Sequence, residues 1–133
     1  MNKCFEYYKD IHIGKRCFIV ANGPSLKETN LDLIKDEITI GMNKISLVYD
    51  KTEWVPTYYF FTSTNVNNKV WGDSWTRSVR ESIDNEFTTS FISSKFKNRI
   101  DPKNKYKINW FDSMSETKPT IAGDLDESCF PTQ

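Results

Sequence analysis

The sequence predicts an α/β fold with a mostly parallel sheet and flanking helices, in a single domain over residues 1–133. Three observations predict it. Strand-like and helix-like segments alternate along most of the chain. The apolar run Cys17–Ala21 stops abruptly at Asn22-Gly23-Pro24-Ser25 and gives way to a polar, helix-compatible segment. Thr57–Thr62 (TYYFFT) is an aromatic run suited to a strand buried on both faces, as parallel strands are.

Residues 1–14 form an amphipathic lead-in through Phe5, Tyr7, Tyr8, Ile11 and Ile13, read as a short helix against the domain edge. Gly14-Lys15-Arg16 is a turn, Cys17–Ala21 is strand one, and Ser25–Lys35 is a helix broken near Thr29-Asn30. Glu37–Gly41 is strand two, and Met42–Val48 is a short helix with Ile45, Leu47 and Val48 facing inward. Trp54 and Pro56 lie in the connection to strand three, Thr57–Thr62. Asn65–Asp73 is polar and Asn-rich and reads as loop. Ser74–Glu86 carries Trp75, Val79 and Ile83 at helical spacing, with Ser74 as N-cap. Thr89–Ile92 is strand four, Ser93–Lys105 a basic, turn-rich connection, and Tyr106–Phe111 alternates as a strand does. Residues 112–133 are polar, broken by Pro119, Gly123 and Pro131, and read as an irregular tail. With a small sheet and no closing helix, the domain reads as incomplete, the front part of a longer protein.

Composition narrows the function classes. A chain of 133 residues with 38% hydrophobic and 14% aromatic residues can bury a real core. The 18 basic and 18 acidic residues cancel, so bulk electrostatics give no drive toward nucleic acid. No apolar run approaches the roughly 20 residues of a membrane helix, so no integral membrane segment is expected. Met1–Asp10 lacks the apolar core of a secretory signal. Cys4, Cys17 and Cys129 are far apart, with no C-x-x-C pair, which points to a reduced, cytoplasmic protein. Cys17, inside the apolar run, reads as a small buried hydrophobe. His12 is the sole histidine, precedes strand one and cannot build a His-rich metal site.

The chemistry concentrates in turns at the carboxyl ends of the first strands, where parallel sheets hold ligands. Gly23 permits positive φ and close backbone approach, Pro24 suits a helix entry, and Ser25 can cap that helix or meet a phosphate oxygen. Asn22 offers a donor and an acceptor, and the free N–H groups of a helix start favour an anion. The pattern is neither G-x-G-x-x-G nor a P-loop, and the plain alternative is a good turn and nothing more. Gly41-Met42-Asn43-Lys44 follows strand two. Asn43 there can meet the same ligand as Asn22, and Lys44 adds a positive charge for a phosphate; the alternative is a capping Asn and a solvated Lys. Thr62-Ser63-Thr64-Asn65 is the third such turn. Asp124-Leu125-Asp126 has the D-x-D form of a metal-bound nucleotide diphosphate site but reads as a solvated loop, as does Asp32, and no metal site is assigned. Lys95, Lys97, Arg99, Lys103, Lys105 and Lys107, interleaved with Phe96, Tyr106 and Trp110, read as a solvated face rather than an RNA platform. Trp71 and Trp75 can stack on a sugar, but their ordinary role is to pack a helix.

The phrase GKRCFIVANGPSLKETNLDLIKDEITIGMNKI resembles the N-terminal half of the bacterial sialyltransferases that use CMP-sialic acid. It is also similar to the motility-accessory-factor and 6-hydroxymethylpterin pyrophosphokinase-like proteins. The match spans about residues 14 to 63. The resemblance implies a Rossmann-like nucleotide-binding fold. It implies that Asn22, Gly23 and Asn43 contact a cytidine nucleotide, with Ser25 and Lys44 as neighbours and Thr64 or Asn65 contributing from the third turn. The implied reaction is sugar transfer from an activated nucleotide donor, CMP-type favoured, to a glycan or glycoconjugate hydroxyl. The donor would be a substrate, and no further cofactor is implied. The family's catalytic histidine and its later Gly-Ser/Thr phosphate segment fall beyond the matched stretch, so a binding half-site is implied and no catalytic residue is assigned. The alternatives are a pterin pyrophosphokinase-like enzyme using ATP and magnesium, or a non-catalytic binding module. The oligomeric state is left open.

Overall fold

A computed structural model of the chain describes residues 4–62, 69–99 and 108–112. Helix α1 (Cys4–Tyr8) precedes strand β1 (Cys17–Val20), and two 3-10 helices, Pro24–Glu28 and Leu31–Ile34, lead to β2 (Ile38–Met42). A third 3-10 helix, Ile45–Val48, leads to β3 (Tyr58–Phe61). Helix α2 (Lys69–Asp84) precedes β4 (Thr89–Ser93), and the 3-10 helix Ser94–Arg99 precedes β5 (Ile108–Phe111). The strands form one parallel sheet in the order β1-β2-β3-β4-β5. The architecture is α/β and Rossmann-like.

Chain order equals spatial order, so right-handed crossovers place every connection on the same face. The core sits there. Val20, Tyr59, Phe61, Ile92 and Ile108 of the sheet pack with Leu31, Ile45, Trp54, Val79, Ile83 and Phe96 of the connections. Side chains alternate along strands, so Ile19, Ile40, Tyr58, Phe60, Phe91 and Phe111 share the opposite face. Helix α1 lies over part of it. Phe5 stacks on Phe91 at 5.4 Å between ring centroids, and Tyr8 meets Tyr58 and Phe91 edge-on at 5.7 and 5.1 Å. The Tyr58 hydroxyl and His12 Nε2 are hydrogen-bonded at 2.5 Å.

This arrangement corrects several expectations. Strand one is an edge strand: Cys17 is exposed, and Ile19 is 69% exposed. Its alternate side chains face the side of the sheet that the connections leave bare, and α1 lies against β3, β4 and β5. Within the lead-in, Phe5 and Tyr8 engage the sheet face, whereas Tyr7, Ile11 and Ile13 are exposed. The helix expected over Ser25–Lys35 is two short 3-10 helices. Thr29 closes the first, its N–H donating to Leu26 O, and Asn30 caps the second by accepting from Asp32 N; the Asp32 carboxylate accepts from the backbone of Glu53 and Trp54, which ties the second to the next connection. In the third 3-10 helix Ile45 and Ser46 are buried but Leu47 is 63% exposed. Strand three buries Tyr59 and Phe61 fully, while Tyr58 and Phe60 on the α1 side are half-buried. Helix α2 starts at Lys69, inside the stretch read as loop, so Ser74 is an interior position and no N-cap. Strand two runs one residue further, to Met42, and residues 94–99 of the basic connection form a 3-10 helix. The tail beyond Asp112 lies outside the described residues. No helix among the described residues is long and apolar enough to cross a membrane.

Candidate functional site

Strand register brings the first two polar turns together. Val20 pairs with Gly41, so Asn22 and Asn43, two residues further on each, leave the sheet side by side. The Asn22 amide is oriented by its partners. Its Nδ2 donates to Met42 O at 2.8 Å and its Oδ1 accepts from Ile45 N at 3.2 Å. One side chain thus holds the carboxyl end of β2 and caps the following 3-10 helix. Asn22 is itself exposed, and these two bonds leave its amide one further hydrogen and one further lone pair.

Gly23 differs from expectation. Its φ is −70° and ψ 160°, an ordinary extended conformation that any residue adopts. A Cβ there would meet only Ser25 Oγ, at 3.8 Å. The fold therefore does not require a glycine at this turn. The helix start after it is also weaker than expected. Pro24 opens a five-residue 3-10 helix, with Leu26 N donating to Gly23 O at 3.0 Å, too short to build a macrodipole of consequence. Ser25 is exposed, and its carbonyl accepts from Thr29 Oγ1 at 3.0 Å.

The turn after β2 is rigid for identifiable reasons. Asn43 has φ 57°, in the left-handed region where Asn is tolerated better than most residues. Its N–H donates to Phe60 O at 3.3 Å, and its carbonyl accepts from the Tyr59 hydroxyl at 2.6 Å. Burial pushes the Tyr59 phenol far above its ordinary pKa, so it remains a donor at any working pH. Gly41, one residue before Met42, is packed so that a Cβ would come within 3.0 Å of Pro56 Cγ.

Lys44 reaches α2. Its Nζ donates to Ser74 Oγ at 2.9 Å and lies 4.8 Å from the centre of the Trp75 ring. Trp75 in turn packs on Phe61, 5.6 Å between centroids. Trp75 thus packs its helix as expected while also facing the ammonium. Below this pair, Ser46 Oγ lies 2.7 Å from Ser78 Oγ and donates to Glu81 Oε2 at 2.6 Å. These contacts fix α2, from Ser74 to Glu81, against the turn after β2 and the 3-10 helix that follows it.

The third turn, with Thr64 and Asn65, lies outside the described residues, as do Asp124, Asp126 and the side chain of Trp71. Ser94, after β4, donates to the Asp112 carboxylate after β5. Within the basic stretch Phe96 is buried and Lys97 lies 5.4 Å over the Trp110 ring. Among the described residues no three His, Cys, Asp or Glu side chains come together as metal ligands. A shallow groove of about 400 Å³ runs along β1, between Phe18–Ala21 and the 3-10 residues Ser25, Leu26 and Leu33.

The structure thus brings Asn22, Gly23, Pro24, Ser25, Asn43 and Lys44 to one end of the sheet. Sequence reasoning missed Tyr59 and Ser74, which hold this end together from β3 and α2. An aromatic run can signal Tyr59 only as core, and Ser74 carried a capping signal that the longer helix overrides. Comparison with protein-family models, curated proteins and solved structures returns no match.

Proposed function

We propose that this chain binds a nucleotide at the carboxyl edge of β1 and β2, as the donor-binding part of a glycosyltransferase-like protein. The observation that carries the reading is the Asn22 clamp: its two hydrogen bonds to Met42 O and Ile45 N draw the Asn22–Ser25 and Met42–Lys44 turns into one polar surface. Ligands of parallel α/β sheets bind outside this end of the strands. Gly23 supports the reading, because the backbone there is open to close approach and the fold makes no demand for a glycine. The resemblance over residues 14–63 favours a cytidine nucleotide carrying an activated sugar. In that reading Asn22 and Asn43 present amide groups to the nucleoside, Ser25 its hydroxyl, and Lys44 its charge to the phosphate.

Isothermal calorimetry of the full chain with CMP, CDP, UMP and UDP tests it. Saturable binding with a preference for cytidine nucleotides is expected. Binding of magnesium-ATP in preference to them would instead support pyrophosphokinase-like chemistry. A folded sample that takes up none of these at millimolar concentration removes the reading.

A further inference from the structure

Among the described strands β1 has a neighbour on one side only, so its outer edge presents alternate N–H and C=O groups to a further strand. Edges of this kind are ordinarily blunted by a charged residue, a proline or a bulge within the strand. Cys17–Val20 carries no charge and no proline, and all four residues pair with β2 in unbroken register. The side chains make the edge apolar on both faces. Ile19 is 69% exposed on the face that the connections leave bare. On the other face, Phe18 and Val20 border the shallow groove, whose far wall includes Leu26 and the exposed Leu33.

The residues in and around the strand select the occupant. Two copies related by a two-fold axis through this edge pair their β1 strands antiparallel, and the residue on the axis fixes every other pair. With Ile19 on the axis, Phe18 faces Val20, Cys17 faces Ala21 and Arg16 faces Asn22 of the other copy. Apolar residues then meet apolar ones, and the guanidinium meets a polar turn. Directly opposite residues share a face, so Ile19 meets its own copy on the bare side, while Phe18 and Val20 meet on the groove side. A shifted axis breaks the match. With Phe18 on it, Arg16 faces Val20; with Val20 on it, Phe18 faces Asn22. A parallel joint in register would set Lys15 and Arg16 against the same charges of the second copy, which the antiparallel joint keeps apart.

We propose that the outer edge of β1 is a self-association surface, on which a second copy of this chain adds its own β1 antiparallel about Ile19. Two sheets of five strands then become one of ten. The inference is independent of the nucleotide reading. A joint made by one short strand is small, so the association depends on protein concentration.

Sedimentation velocity of the full chain over a dilution series tests it, with variants that address the axis and the register. The wild type should shift from monomer to dimer as concentration rises, and stop at dimer because a two-fold joint closes. Ile19→Lys sets two like charges opposite each other on the axis and should remain monomeric at concentrations where the wild type is dimeric. Its urea midpoint should stay near that of the wild type, since Ile19 is largely exposed. Ala21→Cys should form an oxidised covalent dimer through the native Cys17 of the second copy. Within one chain those positions are four residues apart along extended backbone, about 13 Å, too far for a disulfide. The same variant with Cys17→Ser should lose the cross-link, which separates it from any through Cys4 or Cys129. A wild type that is monomeric at every concentration leaves the edge to a strand of another protein and overturns the inference. A dimer that persists in Ile19→Lys, or a series that grows beyond dimer, places the joint elsewhere and overturns it too. A dimer in which Ala21→Cys gives no Cys17-dependent cross-link overturns the register about Ile19.

Discussion

Gly41→Ala tests whether close packing beneath the site fixes its geometry. A Cβ at Gly41 would lie 3.0 Å from Pro56 Cγ, 3.1 Å from Ile45 Cγ2 and 3.1 Å from Pro56 Cβ. Ile45 and Pro56 are both fully buried, one branched at Cβ and one a closed ring, so neither can swing aside as a long side chain would. The methyl must push β2 away from its neighbours, and overpacking of this kind costs about 1–3 kcal/mol. Restricting the unfolded chain returns about 0.4–1 kcal/mol. The net expectation is a loss of about 1–2 kcal/mol, or a fall in Tm of about 3–8 °C for a domain of this size. Urea unfolding followed through buried Trp54 should show a lower midpoint with an unchanged slope. Nucleotide affinity should fall as well, because Ile45 N is the group that Asn22 holds. An alanine variant as stable as the wild type would show that Pro56 and Ile45 retreat freely, and the argument from close packing would fail.

Gly23→Ala should behave in the opposite way: unchanged or slightly raised stability in the same urea assay, because φ is −70° and the only close atom is 3.8 Å away, with weakened nucleotide binding if the ligand approaches the backbone there. Wild-type affinity in that variant would mean that no ligand comes close at Gly23. Tyr59→Phe removes the hydroxyl that satisfies Asn43 O and should cost about 1–2 kcal/mol by thermal unfolding. Asp32 gives an acid-side prediction. The Thr52 hydroxyl first, then the N–H groups of Glu53 and Trp54 and the nearby Lys35, hold its carboxyl below the ordinary 3.8. A depressed folded-state pKa means that its contribution is complete above that value and is lost as pH falls through the lower folded value. The urea midpoint should therefore decline below about pH 4, and less steeply in Asp32→Asn.

What was legible in the sequence follows from the range over which each signal acts. Strands β1 to β3 were readable because four or five apolar residues bounded by turn residues specify extended chain locally. That β1 lies at the edge was not readable: Cys17 and Ile19 are as apolar as a central strand requires, and only strand order decides which faces are covered. The first three 3-10 helices are legible only as helix, because four or five residues cannot separate a period of 3.0 from 3.6, and Ser94–Arg99 is legible only as a turn-rich connection. At Ile45–Val48 the tighter period matters, since residues three apart eclipse and Leu47 is turned out to solvent. The start of α2 was hidden by Gly72 and the polar residues around it, which lower local helix propensity. Asn22 and Asn43 were legible as turns at a sheet edge. The contact between their turns depends on the β1–β2 register, and the Lys44–Ser74 hydrogen bond on the packing of α2 thirty residues away.

The two asparagines serve the fold by different means, and this decides how their role in binding is separated from their role in stability. Asn22 uses its side chain: two hydrogen bonds to the backbone of Met42 and Ile45 depend on the amide. Asn22→Ala should cost about 1–2 kcal/mol and displace the second turn, so any loss of affinity in it is confounded. Asn43 uses its backbone: φ is 57°, its N–H reaches Phe60 O, and its carbonyl takes the Tyr59 hydroxyl. Glycine occupies that conformation without strain and keeps both backbone bonds, whereas alanine would add about 1–2 kcal/mol of left-handed strain. Asn43→Gly therefore deletes the amide alone. Its stability by urea unfolding should stay within about 0.5 kcal/mol of the wild type, while nucleotide affinity drops several-fold. Equal affinity in Asn43→Gly would leave Asn43 with a conformational reason for being asparagine and remove it from the binding surface.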